Sequence, residues 1–338
     1  MPVTPPERGA AGTIGKLQIG MKIAIVGAGA LGGYFGARLA QAGEEVHFLA
    51  RGAHLAAMRA AGLRMRSVIG DVVLAPAETH VTDDPTEIGP AQIVLFTVKS
   101  YDTDSAAASL LPLLGPETAV ISLQNGIDNE ERIAARIGPS HVVGGVAYIF
   151  AGRAEPGVIR HTGGPGRIIF GELEGSRSPR LEAFLAACEG AGIPAELTED
   201  IGVALWTKYA FICAQAGLTA ATRQPIGRVR DTPASWQLFV DVLQEVISVA
   251  RAEGIALPDD LVERHLTMAQ SLDPTLYSSL YDDLVGGRPM ELDALLGELV
   301  RRAQRAGVPA PTTRAIYAVL LPQAKRPSSS AGPMAAFD

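Results

Sequence analysis

At 338 residues, against roughly 150 for a typical domain, the chain is long enough for two domains and a sizeable core without disulfides or metals. Apolar residues at 47% and charged residues at 19% exclude a disordered chain and a small disulfide scaffold. With 29 basic and 36 acidic side chains the formal charge is -7, so no basic excess draws the chain to nucleic-acid phosphates.

Residues 1–20, with Pro2, Pro5 and Pro6, read as a loose N-terminal extension, because an apolar strand pattern begins abruptly at Met21. From there short β-branched runs alternate with helix-like segments, the pattern of parallel strands joined by crossover helices. Strands are predicted at Lys22–Val26, Glu45–Leu49, Ile93–Thr97, Ala119–Ser122 and Val142–Ala147, nearly continuous in apolarity as strands covered on both faces tend to be. Shorter runs at Val72–Leu74 and Arg167–Phe170 add strands open to antiparallel pairing. After about Glu199 long 3.6-period patterns take over, through Ile201–Ala221, Ala234–Glu253, Asp259–Gln270 and Met290–Ala306. The predicted fold class is α/β: a Rossmann-type doubly wound sheet over residues 21–199, an all-helical domain over 200–325, and a mobile tail at 326–338. No apolar run reaches the ~18 residues that cross a bilayer, and residues 1–20 lack the apolar centre of a secretory signal, so a cytoplasmic protein without a membrane partner is expected. Cys188 and Cys213 lack paired spacing and the histidines form no metal-ligand cluster, so no metal is expected. Cys213 is read as a small buried hydrophobe. The apolar stripe in Ala234–Ala250 serves a core or a homodimer interface equally well.

Gly27-Ala28-Gly29-Ala30-Leu31-Gly32 follows the first strand directly and opens a helix running to about Ala42. Strand, glycine turn, helix and second strand within ~30 residues form a mononucleotide-binding unit. In that geometry Gly27 permits the tight turn, Gly29 leaves room for a pyrophosphate, and Gly32 lets helix and sheet approach closely, while the helix N-terminus faces the phosphate charge. The second strand ends in Arg51, where an NAD site would usually place an acid for the free 2′-hydroxyl. A guanidinium suits a 2′-phosphate, so NADPH is the expected cofactor.

Lys99 and Asn125 follow the third and fourth predicted strands, at the carboxyl ends where open α/β sheets bind ligands. Lys208 sits within a helix on a face shared with Ile212, Gln215 and Thr219, and Glu291 falls in the first turn of another helix, where the dipole favours an anion. By spacing alone Lys208 reads as a solvated helix lysine, and only a family resemblance reverses that reading. The pieces MKIAIVGAGALGGYFGARLAQAGEEVHFLAR, VKSYDT, SLQNGIDNEE, LWTKYAFICAQAGLTAATRQPIG and SSLYDDLVGGRPMELDALLGELVRRAQRAGVPAPTT, in this order, resemble the ketopantoate reductases (2-dehydropantoate 2-reductases) from about Met21 to Val319. The resemblance implies an NADPH-dependent reduction of 2-dehydropantoate to pantoate in pantothenate and coenzyme A biosynthesis. It also implies Lys208 as general acid, Glu291 in catalysis and substrate binding, Lys99 and Asn125 at the edge of cofactor and active site, and Ser279 against the substrate.

The chemistry suits these residue types. Hydride delivery to a 2-keto carbon builds negative charge on the oxygen, and a lysine stabilises it by charge and by giving a proton, which an arginine holds too tightly. A carboxylate such as Glu291 is expected to keep Lys208 oriented and charged. Two asparagines common in the family, four and eight residues after the lysine, are Ile212 and Ala216 here. Gln215, Arg223 and Arg228 are candidate substitutes. The alternatives left open are a reductase of a different branched or aromatic 2-keto acid and a non-catalytic NADPH-binding sensor.

Overall fold

The computed structural model describes residues 20–324; the expected N-terminal extension, but for Gly20, and the expected mobile tail lie outside them. Strands form at β1 (Lys22–Val26), β2 (Glu45–Leu49), β3 (Leu63–Ser67), β4 (Val72–Leu74), β5 (His80–Thr82), β6 (Ala91–Phe96), β7 (Leu114–Ser122), β8 (Val142–Glu155), β9 (Val158–Glu172) and β10 (Ala195–Leu197). They join in one sheet in the order β4-β3-β9-β8-β7-β6-β1-β2-β5, with β10 also on β9. The run β5-β2-β1-β6-β7-β8 is parallel throughout, whereas β8 and β9 form a long antiparallel hairpin. Of the five main strand expectations, Ile93–Thr97 starts two residues late and runs one residue too far, Ala119–Ser122 starts five residues late, and Val142–Ala147 stops well short of Glu155.

The sequence pattern of β1 explains why this sheet is covered twice. Its residues all point to apolar neighbours, but alternately: Ile23 and Ile25 join one buried cluster with Phe48, and Ala24 and Val26 join another with Leu49, Val94 and Phe96. Successive side chains of a strand face opposite sides, so a continuous apolar run demands a layer on each. The Ala30–Gln41 helix lies on one side, seated close to the sheet by its glycines.

Gly32 is the tightest of these seats. A Cβ there would press on the backbone oxygen of Gly27, on Thr97 Oγ1 and on the Ile25 side chain. In an open helix alanine is preferred over glycine by about 1 kcal/mol, but a backbone oxygen cannot swing aside. Gly32→Ala is therefore expected to destabilise the protein by about 1–3 kcal/mol, seen as a lower midpoint in thermal unfolding.

From Ile201 onward the described residues fold as helices around a separate buried cluster. Its centre is the Ile201–Thr222 helix, packed on the Pro233–Ala252 helix through Phe239, Val242 and Val246. This central helix is long and apolar enough to span a membrane by length and composition, a feature the search for apolar runs missed because Lys208 interrupts it. Over half of its most apolar window is buried inside the protein, as befits a core helix. Cys213 is fully buried on it, and burial pushes its thiol pKa well up. Cys188 is likewise a buried free thiol.

Candidate active site

The glycine turn and the residues at the sheet's carboxyl edge form the first half of the site. Gly27 adopts a φ of +96°, the left-handed region that glycine enters without a Cβ penalty. Gly29 caps the Ala30–Gln41 helix with no side-chain bond and no acid in the first turn, and a Cβ built on it meets nothing within 4 Å. An uncapped helix N-terminus beside open space is a cradle suited to a phosphate. Ala28 is buried, its N–H donating to Leu49 O at 3.2 Å, while Ala30 and Leu31 are half-buried at the helix start. Arg51 follows β2, the strand beside β1, and caps the next helix, Gly52–Ala61, so it shares the sheet edge with the turn.

The second half bridges the sheet and the helices. Lys99, just past β6, places Nζ 3.1 Å from Glu291 Oε2 and 3.1 Å from Asp283 Oδ2, and the Ser100 N–H donates to Glu291 Oε1 at 2.9 Å. Burial alone would raise the Glu291 carboxyl, but Lys99 and the Ser100 bonds hold it below its ordinary value. Burial alone would lower Lys99, yet the two carboxylates raise it above the usual lysine range. Nearby, burial pushes the Tyr101 phenol up to about 12. Asp283 was not singled out from the sequence; its neighbour Asp282 makes the pair look like a solvated helix face, yet Asp283 is 8% exposed and also accepts from Arg288 Nε at 2.9 Å.

Glu291 does not open an uninterrupted α-helix. It sits in a turn before a π-helical segment, Asp293–Gly297, which passes into the Glu298–Ala306 helix. Gly297 N–H reaches back to Leu292 O at 3.1 Å, and the hydroxyl of Tyr209 donates to Leu295 O. That hydroxyl bond ties the segment to the residue after Lys208.

Lys208 lines a small cavity, about 210 Å³ including its open mouth, together with Gln124, Asn125, Gly126, Gly145, Val146, Leu205, Tyr209 and Ile212. Among the described residues Lys208 has no hydrogen-bond or salt-bridge partner. Burial pushes its pKa down to about 8, with the Glu291 charge acting in the opposite sense. Glu291 bonds Lys99 and Ser100 N rather than Lys208, and its charge acts on Lys208 through space.

The candidate substitutes for the missing asparagines lie elsewhere. Arg223 is exposed in a left-handed conformation (φ 54°) that ends the lysine helix and donates to Gln323 Oε1, and Arg228 is exposed on the short Ile226–Arg230 helix. Gln215 is buried but does not line the cavity; Ile212 does. Ser279 is the exposed first residue of the Ser279–Val285 helix. Its neighbour Ser278, missed in the sequence, is the buried one, accepting from Tyr281 N–H at 3.2 Å and from Thr219 Oγ1 at 2.8 Å. Among the described residues no group of three or more His, Cys, Asp or Glu side chains could hold a metal ion.

Two family models match the chain, "Ketopantoate reductase PanE/ApbA" over residues 23–175 and "Ketopantoate reductase PanE/ApbA C terminal" over residues 200–323. The chain is 31% identical to the uncharacterized oxidoreductase YkpB of Bacillus subtilis over 300 residues, which covers 89% of this chain and 98% of that one. It is 32% identical to the 2-dehydropantoate 2-reductase of Caulobacter vibrioides, covering 88% and 97%. The crystal structure of a PanE/ApbA family ketopantoate reductase from Ralstonia eutropha JMP134 superposes with a TM-score of 0.82 at 36% identity, covering 90% and 98%.

Proposed function

The chain belongs to the ketopantoate reductase family of oxidoreductases, and from that premise we propose that it reduces 2-dehydropantoate (ketopantoate) to pantoate with NADPH in the cytoplasm, as a step of pantothenate and coenzyme A biosynthesis. The observation that carries this reading is Lys208, an ammonium without a partner among the described residues, sharing a cavity with Asn125 and with its pKa pushed down to about 8. The domain division at about residue 199 belongs to the same proposal, with the cofactor on the sheet side and the substrate on the helical side.

When bound, the nicotinamide supplies the hydride. Lys208 gives the proton to the keto oxygen as charge builds there. Glu291, fixed by Lys99 and Ser100 N, keeps the local field negative so that Lys208 stays protonated near neutral pH. Asn125 and Ser279 hold the substrate alongside Lys208 and Glu291, and Lys99 and Asn125 edge the cofactor. Gly27, Ala28, Gly29, Ala30, Leu31 and Gly32 cradle the pyrophosphate, which the open face of Gly29 supports. Arg51 pairs with the 2′-phosphate.

A second reading, a different branched or aromatic 2-keto acid, is favoured by one observation: Val146, Leu205 and Ile212 give the cavity an apolar wall with no side chain to bond a substrate hydroxyl. Steady-state NADPH oxidation with ketopantoate beside branched and aromatic 2-keto acids decides between them. The proposal expects the highest kcat/KM for ketopantoate; a better apolar keto acid replaces the substrate, and NADPH binding without turnover on any of them replaces the enzyme by a sensor. In the same assay Arg51→Ala is expected to raise KM for NADPH by roughly tenfold or more while leaving KM for NADH nearly unchanged.

A further inference from the structure

We propose that His54 is the positioning residue of the glycine turn, holding the Ala28–Gly29 peptide in the orientation that directs the Gly29 N–H toward a dinucleotide pyrophosphate. The inference rests on the cofactor reading above. His54 lies on the Gly52–Ala61 helix, three residues after Arg51, and is 5% exposed. The Gly157 N–H, in the tight β8–β9 turn, donates to His54 Nδ1 at 2.9 Å. That nitrogen therefore carries no hydrogen, the ring's single hydrogen is on Nε2, and Nε2 donates to Ala28 O at 2.8 Å. Burial holds the imidazole below its ordinary pKa, and Arg153 pushes the same way, against the Ala28 bond, so the ring stays neutral and this tautomer persists.

The consequence follows from peptide geometry. In a planar trans peptide the C=O and N–H point in opposite directions. Drawing Ala28 O toward His54 therefore turns the Gly29 N–H away from it, while the Ala28 N–H to Leu49 O bond steadies the preceding peptide. Gly29 borders the open space in which a Cβ would meet nothing within 4 Å. A flipped peptide would present a carbonyl oxygen to the same space and repel a phosphate. One imidazole thus joins the glycine turn, the helix that follows Arg51 and the hairpin turn at Gly157.

Two variants separate its two bonds. Glutamine puts an amide nitrogen where Nε2 stands and keeps the donor to Ala28 O; asparagine puts an oxygen where Nδ1 stands and keeps only the acceptor for Gly157 N–H. The dissociation constant for NADPH, read by fluorescence titration of the full chain, is expected to stay within about twofold in His54→Gln and to rise roughly tenfold in His54→Asn. Equal weakening in both variants, or none in His54→Asn, overturns the inference and leaves His54 as packing. An unsubstituted chain that binds no NADPH overturns instead the cofactor reading beneath it.

Discussion

Lys208→Ala is expected to lower kcat with a 2-keto acid by roughly 10²- to 10⁴-fold, the usual worth of a positioned general acid. The loss should fall on kcat more than on KM, because the proton and the charge matter most once the oxygen becomes an alkoxide. The sign of the pH dependence is fixed by the same residue. The acid must carry its proton, so activity holds below about pH 8 and falls as pH rises through that value, where burial has placed the Lys208 pKa. A pH profile of kcat/KM checks it, and the alkaline limb should be missing from the residual activity of Lys208→Ala.

Glu291 yields the second large effect. In Glu291→Ala the Ser100 N–H loses its acceptor, and Lys99 keeps only Asp283. The variant also removes the Glu291 charge, which raises the Lys208 pKa against burial. We expect kcat/KM to drop by roughly 10²-fold, the scale of losing one preorganised electrostatic contact. The alkaline limb should also move to lower pH, because Lys208 then gives up its proton more readily. Glu291→Gln separates the two contributions. Its amide oxygen can still accept from Ser100 N–H, so the rate should be partly restored, yet without the negative charge the limb should stay shifted. A limb that remains near pH 8 in both variants would remove Glu291 from the control of Lys208.

The sequence made some parts of this arrangement legible and hid others for definite reasons. β1 and β2 appear at their predicted limits because each is a short run bounded by turn residues, with β1 buried on both faces from Ile23 to Val26 and β2 burying Val46, Phe48 and Leu49. β8 and β9 run far beyond Val142–Ala147 and Arg167–Phe170 because backbone pairing extends them: the outer part of β8, with Gly152, Arg153 and Glu155, is exposed and carries no apolar run, and the outer part of β9 is held between β8 and the distant β3. The tight turn at Gly27 and the close helix seat at Gly32 were readable in the sequence, since both answer a local steric demand. The pairing of Lys99 with Glu291 was not, because 192 residues separate them and only the packing of helices on the sheet edge joins them. Asp283 and the contact between Tyr209 and the π-helical segment stayed hidden for the same reason: one rests on a distant lysine, the other on the Tyr209 hydroxyl reaching Leu295 O. The resemblance pointed to Lys208, but its lowered pKa, and its lack of a partner among the described residues, are properties of the folded cavity.

The central claim is that Lys208 donates the proton in an NADPH-dependent reduction. Its most direct test mixes NADPH-loaded protein rapidly with ketopantoate at neutral pH and follows a single turnover of NADPH absorbance, for the unsubstituted chain and for Lys208→Ala, with NADPH affinity measured on the same samples. The account predicts that the variant binds NADPH as tightly as before and oxidises it at least about 100-fold more slowly. An undiminished rate in the variant would contradict it.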